Sequence, residues 1–156
     1  MNNNTATFLN MAWDASQSSN CSRRMVGAVI VRDGVVITAA SDGTPEGVTP
    51  CNEGGCNRCK SEVLSGGSYD PCLCIHAEQA TIAKAARAGH RTDNAILYCT
   101  LRPCLACAKL CLEAGIEEIV HRETIQFASD VEESYEALLL STNLSITRYL
   151  GEGVDF

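Results

Sequence analysis

Two short segments carry residues whose types and spacing can do chemistry. One is His76-Ala77-Glu78 and the other is Pro103-Cys104-Leu105-Ala106-Cys107. Zinc takes nitrogen and sulfur ligands in a tetrahedron, and a catalytic site keeps one position for water. His76, Cys104 and Cys107 offer one nitrogen and two sulfurs. The two cysteines are three apart, so at a helix start their side chains point the same way. The positive end of that helix favours thiolate over thiol. Glu78 lies two residues from His76 and need not share the metal, which leaves its carboxylate to carry protons. Either half alone is weak: a lone C-x-x-C serves equally as a redox pair or half a structural zinc site, and a lone H-x-E fits any surface helix. Together they specify a hydrolytic zinc centre with Glu78 as its acid–base group.

A second set of potential ligands stands apart from these. Of ten cysteines, Cys51, Cys56, Cys59, Cys72 and Cys74 fall in one stretch. In a reducing compartment, clustered cysteines bind metal more often than they form disulfides. Cys56-x-x-Cys59 followed by Cys72-x-Cys74 has spacing suited to a zinc knuckle. The competing reading is a set of free buried thiols. Cys99 and Cys111 are expected to be small core residues, Trp13 a core residue, His121 structural and His90 solvated.

The elements that must position these groups follow from periodicity and turn chemistry. A first helix is expected over Thr5 to Ser19, with Phe8, Leu9, Ala12 and Trp13 on one side. Val26 to Arg32 reads as a buried strand, Asp33-Gly34 as a hairpin turn, and Val35 to Ala40 as the returning strand. Residues 41–75 lack periodicity, and an irregular segment of that length needs a function or a staple. His76 to Ala88 is Ala-rich and helical, with Gly89 as its stop. Then come a strand (Ala95 to Thr100), a helix (Cys104 to Ala114), a strand (Ile116 to His121), a helix (Asp130 to Leu140) and a last strand (Leu144 to Tyr149). The acidic run Asp130 to Glu133 is expected to complement its helix dipole. This order predicts an α/β fold: a three-layer αβα sandwich around a mixed sheet of about five strands.

Composition narrows the class. The 156 residues suit one domain, residues 1–156, with a cysteine-rich zinc-binding insert at about 51–74. An apolar content of 46% argues against disorder, and the longest apolar runs are too short to span a bilayer. The first residues carry no basic-then-apolar signal, so a cytoplasmic protein is expected. The net charge of −7 argues against a nucleic-acid polymer as partner and for a small molecule. Arg23 and Arg24 leave room for a local basic pocket.

The pair of motifs matches the H-x-E…P-C-x-x-C pattern of zinc deaminases. From about Cys21 to Val120 the chain resembles the deoxycytidylate (dCMP) deaminase family of the cytidine deaminase-like superfamily. The resemblance rests on Val26-Gly27-Ala28-Val29-Ile30-Val31, Gly43-Thr44-Pro45, the cysteine-rich insert, His76-Ala77-Glu78, Pro103-Cys104 with Cys107-Ala108-Lys109, and Ala114-Gly115-Ile116. It implies hydrolysis of dCMP to dUMP and ammonia, an αβα sandwich, and a homo-oligomer between dimer and hexamer. It also implies a second, structural zinc: Cys21, Cys51 and Cys74 match ligand positions of phage-type relatives. With Cys56, Cys59 and Cys72 that makes six candidate thiols, enough for one zinc or two. Asp42, Ala77 and Arg102 are the candidate substrate contacts. The family usually reads G-Y-N-G-x-P where this chain has Ala40-Ser41-Asp42-Gly43-Thr44-Pro45, and H-A-E-x-N where it has Ala80. A pocket Tyr of the family is replaced by Ile125. The chemistry motif is thus intact while the recognition motif is altered, which leaves open another amino-heterocycle: a modified cytosine nucleotide, a nucleoside or an intermediate of specialised metabolism. A non-catalytic zinc-stapled scaffold is a third reading, but it has no need of an acid beside an open zinc position.

Overall fold

The structure, a computed structural model, describes residues 4–61, 71–154 and 156. Helix α1 spans Asn4–Ser16, and the hairpin β1 (Gly27–Arg32) and β2 (Val35–Ser41) follows. The segment after β2 holds a 3-10 turn, Cys51–Glu53, and a short helix α2, Asn57–Lys60. Then come α3 (Ala77–Arg87), β3 (Ala95–Leu101), α4 (Leu105–Glu113), β4 (Ile116–Glu123), α5 (Ser129–Leu140) and β5 (Ser145–Arg148). The expected elements are all present, with ends shifted by a few residues. Helix α1 stops short of Ser19 because Gln17, Ser18 and Ser19 turn their N–H groups back to Asp14, Ala15 and Ser16. Asp33 and Gly34 have φ of 52° and 76°, the positive pair that a type I′ hairpin requires.

The five strands form one sheet in the order β2-β1-β3-β4-β5. Strand β1 runs antiparallel to both β2 and β3, whereas β3, β4 and β5 are parallel. The expected mixed sheet is therefore found, and its two faces can be read from the period-2 alternation of strand residues. On one face Ala28, Ile30, Leu97, Cys99 and Ile119 pack with Ala77 of α3, Cys111 of α4 and Leu139 of α5. On the other, Val29, Val31, Tyr98 and Val120 pack under Phe8, Leu9 and Ala12 of α1. The C-terminal residues Val154 and Phe156 join this second layer, and Trp13 stacks on Phe156 with centroids 4.8 Å apart. Because β1 is covered on both sides, its sequence reads as a continuous apolar run rather than an alternation. Cys99 and Cys111 are fully buried core residues, as expected. No described helix is long and apolar enough to cross a membrane.

The irregular segment is closed at its ends. Gly43 and Ile75 form an isolated antiparallel bridge, with Gly43 N donating to Ile75 O (3.2 Å) and Ile75 N donating to Gly43 O (2.8 Å). This pins the start of α3 beside the end of β2, so His76 is delivered next to Asp42.

Helix α1 meets β1 most closely at Gly27, where an added Cβ would land on the Ala12 carbonyl and within 2.6 Å of the Ser16 nitrogen. Both are backbone atoms that no rotamer change can move. Gly27→Ala is expected to destabilise the fold by about 1–3 kcal/mol, the usual cost of overpacking. Urea denaturation checks this, and an unchanged midpoint would show that α1 shifts freely on the sheet.

Candidate active site

The ligand candidates sit at the N-termini of α3 and α4, two of the helices that cover one face of the sheet. His76 is the N-cap residue of α3 and Cys104 that of α4; both have extended backbone angles. The start of α3 is fixed by a reciprocal cap: His76 N donates to the Gln79 side-chain oxygen at 3.0 Å. Pro103 sets the entrance to α4, and its carbonyl accepts a 3.1 Å hydrogen bond from Tyr135 of α5. Both positive helix ends therefore point at one place, which favours anionic sulfur there.

At that place the three donors converge. His76 Nδ1 lies 3.5 Å from Cys104 Sγ and 3.4 Å from Cys107 Sγ. With Zn–S of about 2.3 Å and Zn–N of about 2.0–2.1 Å, a tetrahedral ion separates N and S ligands by about 3.5–3.6 Å. The donor set and its spacing fit zinc. The three groups share protons unequally: Cys104 is drawn down to about 4, first by its hydrogen bond with Cys107 and then, against burial, by His76. The Cys107 thiol is pushed up by the same pairing and by burial. His76 is raised, chiefly by its contact with Cys104.

Glu78 is 4% exposed, in the first turn of α3. Burial pushes its carboxyl up to about 7, opposed by the charge of His76. Few buried acids lack a cation or metal partner, so a carboxyl here reads as a functional group.

His76, Cys104 and Glu78 open into a cleft. Its apolar walls are Val26, Leu101, Ile125 and Phe127, suited to a flat ring, and Arg23, Arg24 and Arg58 also line it. The cysteine-rich segment supplies a further wall through Cys59, Cys72 and Cys74.

All three candidate substrate contacts line this cleft, each differently. Asp42 is buried, and its Oδ1 accepts from Ser19 Oγ (2.6 Å) and from Val26 N (2.9 Å). Burial raises its pKa, against those hydrogen bonds. Ala77 is fully buried as the first residue of α3. Arg102 reaches the cleft, but its guanidinium forms a bidentate pair with Glu132 at 2.8 and 2.9 Å and lies 4.3 Å from the Tyr135 ring centroid. Glu132 therefore does more than complement the dipole of α5: it holds Arg102 at the cleft wall. Ala80 is buried in α3 and is not among the cleft residues. His121 is buried, with Nδ1 3.0 Å from the Glu123 carbonyl, and His90 is exposed, both as expected.

Several contributors escaped the sequence reading. Gln79 had a signal, a Gln three residues after an N-cap position. Arg58 sits between two candidate ligands and could have been flagged for that. Glu132 and Tyr135 had none, since each meets its partner some thirty residues away.

The six other candidate thiols also come together. Cys21, Cys51, Cys59 and Cys74 form one group, and Cys56, Cys59, Cys72 and Cys74 form another, with all sulfurs in a group within 4.8 Å. Part of the expected insert, residues 62–70, lies outside the described residues.

Known proteins are similar to this chain in sequence and fold. The family model for the cytidine and deoxycytidylate deaminase zinc-binding region matches residues 2–123. The deoxycytidylate deaminase of Schizosaccharomyces pombe is 40% identical over 143 residues, which is 92% of this chain and 43% of that protein. That of Saccharomyces cerevisiae is 38% identical over 131 residues, 84% of this chain and 40% of that protein. The chain thus spans less than half the length of these two curated relatives. The dCMP deaminase of cyanophage S-TIM5, solved in complex with dCMP and dUMP, superposes with a TM-score of 0.71 at 25% identity, covering 96% of this chain and 99% of the phage chain. By its motifs, its fold and these matches, the chain belongs to the cytidine and deoxycytidylate deaminase zinc-binding family.

Proposed function

We propose that this chain is a zinc-dependent hydrolase that converts dCMP to dUMP and ammonia. The observation that carries this reading is the buried Glu78 carboxyl beside three donors spaced for zinc, in a cleft lined by four arginines. The relatives' names supply the substrate, and the arginines suit a nucleotide phosphate. The 156 residues act as one deaminase unit, cytoplasmic and homo-oligomeric between dimer and hexamer. Exposed apolar side chains such as Leu110 of α4 and Leu140 of α5 are available to such an interface.

His76, Cys104 and Cys107 hold the zinc, which when bound supplies the Lewis acidity that makes water nucleophilic near neutral pH. Glu78 takes a proton from the attacking water and delivers it to the ring nitrogen next to the amino-bearing carbon. As the carbon–nitrogen bond breaks, Glu78 takes the second proton from the hydroxyl now on that carbon and passes it to the amino group, which leaves as ammonia while the ring keeps the oxygen as a carbonyl. A carboxyl raised towards neutrality serves as both acid and base in that cycle. Val26, Leu101, Ile125 and Phe127 hold the ring and exclude bulk water. Arg23, Arg24 and Arg58 attract the phosphate end. Arg102, committed to Glu132, keeps the loop ahead of Cys104 in place.

One observation favours a second reading, the same chemistry on another amino-heterocycle. Asp42 puts a carboxylate into the cleft where the family usually has Asn, and a carboxylate cannot donate a hydrogen bond.

Glu78→Gln tests the chemistry. The variant is expected to fold and keep zinc, because Glu78 is outside the donor set, and to lose about 10²–10⁴-fold in kcat. Activity within tenfold of wild type, measured as ammonia release, would refute the role. Asp42→Asn tests the substrate. Asn can still accept from Ser19 and Val26 through its oxygen while removing a negative charge from the cleft. Two like charges about 4 Å apart cost about 1 kcal/mol in water, so kcat/KM for dCMP should rise by roughly fivefold. If wild type already exceeds about 10⁵ M⁻¹s⁻¹ with dCMP and the variant gains nothing, Asp42 does not oppose the nucleotide. If no cytosine compound reacts but another ring in the panel does, the second reading replaces the first.

A further inference from the structure

The six thiols outside the active site are arranged as two groups with two members in common. Cys59 and Cys74 belong to both; Cys21 and Cys51 occur only in the first, Cys56 and Cys72 only in the second. The Sγ–Sγ distances are 3.8 Å for Cys56–Cys72, 3.8 Å for Cys59–Cys72 and 3.9 Å for Cys59–Cys74. A tetrahedral zinc with Zn–S of about 2.3 Å separates its sulfurs by about 3.8 Å. A disulfide would require about 2.05 Å, and all six cysteines are free. One zinc would use four thiols and leave the other two stranded against it. Two tetrahedra that share an edge use all six.

We propose that these cysteines hold two zinc ions as one binuclear cluster, in which Cys59 and Cys74 bridge the metals, Cys21 and Cys51 complete one tetrahedron, and Cys56 and Cys72 complete the other. The hydrogen bonds to sulfur follow this division. Backbone N–H groups point at Cys51 Sγ (from Ser22, 3.4 Å) and at Cys56 Sγ (from Leu73, 3.3 Å). The Ser22 hydroxyl also lies 3.4 Å from Cys51 Sγ. Both sulfurs are terminal ligands, which keep more negative charge than a thiolate shared by two metals and so make better acceptors. Six thiolates and two dications leave a charge of about −2. Arg23 is tied to this region through the Cys59 and Ser61 carbonyls, and Arg58 is buried between Cys56 and Cys59.

The cluster ties together three stretches: the turn before β1, the loop after β2 and the approach to α3. Cys74 is two residues before His76, and Cys21, Cys59, Cys72 and Cys74 line the cleft. The cluster is thus a wall of the substrate cleft as well as a staple. It rests on sulfur geometry and not on the deaminase reading.

Metal content tests it without any substrate. Elemental analysis and native mass spectrometry of the whole chain, purified under reducing conditions with zinc, should find about three zinc ions per chain, and Cys104→Ser/Cys107→Ser should keep about two. In the cadmium-113-substituted wild type, two resonances should show scalar coupling to each other through the bridging sulfurs, and a third should not. One zinc or none in the double variant would overturn the proposal, as would intact disulfides among the six. Should the variant fail to fold, the cadmium spectrum decides, and an absence of metal–metal coupling overturns the cluster. A chain that holds three zincs but releases no ammonia would sink the proposed function and leave the cluster standing.

Discussion

An imidazole and two thiols must meet within about 3.5 Å for a tetrahedral zinc to bind, and the rest of the molecule is arranged around that requirement. His76 and Cys104 come from different helices, so the site exists only where the N-termini of α3 and α4 converge. Packing on one face of the sheet sets that convergence: Ala77 and Cys111 share a core cluster with Ala28, Leu97 and Cys99. The small side chains at these positions let the helices lie close to the strands. The chain then reaches each helix through a pinned approach. The Gly43–Ile75 bridge fixes the one before His76, and the Tyr135 hydroxyl on Pro103 fixes the one before Cys104.

Much of this was legible because it is periodic or local. Strand β1 declared itself by an unbroken apolar run, the Asp33-Gly34 turn by its dipeptide, and α3 and α4 by alanine-rich stretches that stop at Gly89 and Gly115. The donors of the active site were legible for a chemical reason: zinc accepts few residue types, and a helix start limits their spacing. The cysteine-rich segment was legible only as composition. Its turn and short helix have no hydrophobic period, and sulfur ligands impose no order along a sequence. That Cys59 and Cys74 are common to both groups depends on how three distant stretches fold together. Long-range polar pairing was equally hidden. Arg102 announces itself beside Pro103, but nothing near it in sequence predicts that Glu132 will claim its guanidinium.

Electrostatics divides the cleft into regions with different duties. The part with His76, Glu78 and Cys104 is dominated by two helix dipoles and a buried carboxyl. Such a place strengthens every charge interaction and suits proton transfer. The cleft also carries Arg23, Arg24 and Arg58 in a protein whose net charge is −7. Local positive charge within an acidic molecule selects for a small anion over a polyanion, because a polymer would also meet the repelling surface. Asp42 lines the same cleft, so on the proposed function its charge would bear on which ring and sugar are tolerated, while the proton chemistry would stay with Glu78.

An irregular wall is what a recognition surface needs, and it is also hard to fold. The described residues of the 41–75 segment bury few large apolar side chains, and backbone outside helix or sheet must find its hydrogen bonds one at a time. Without another source of order, such a segment would fluctuate and blur the cleft it lines. The thiolate–metal bonds of the proposed cluster would supply that order at a point, without the apolar area a core requires. Placing them at Cys74, two residues before His76, has a further consequence. With such a cluster, ordering the wall and setting the imidazole would become parts of one event, so the approach to His76 would form only when the wall forms. A chain that had lost its cluster would therefore lose the geometry of the cleft before it lost its sheet, since the β1–β3–β4 core makes no use of those six thiols.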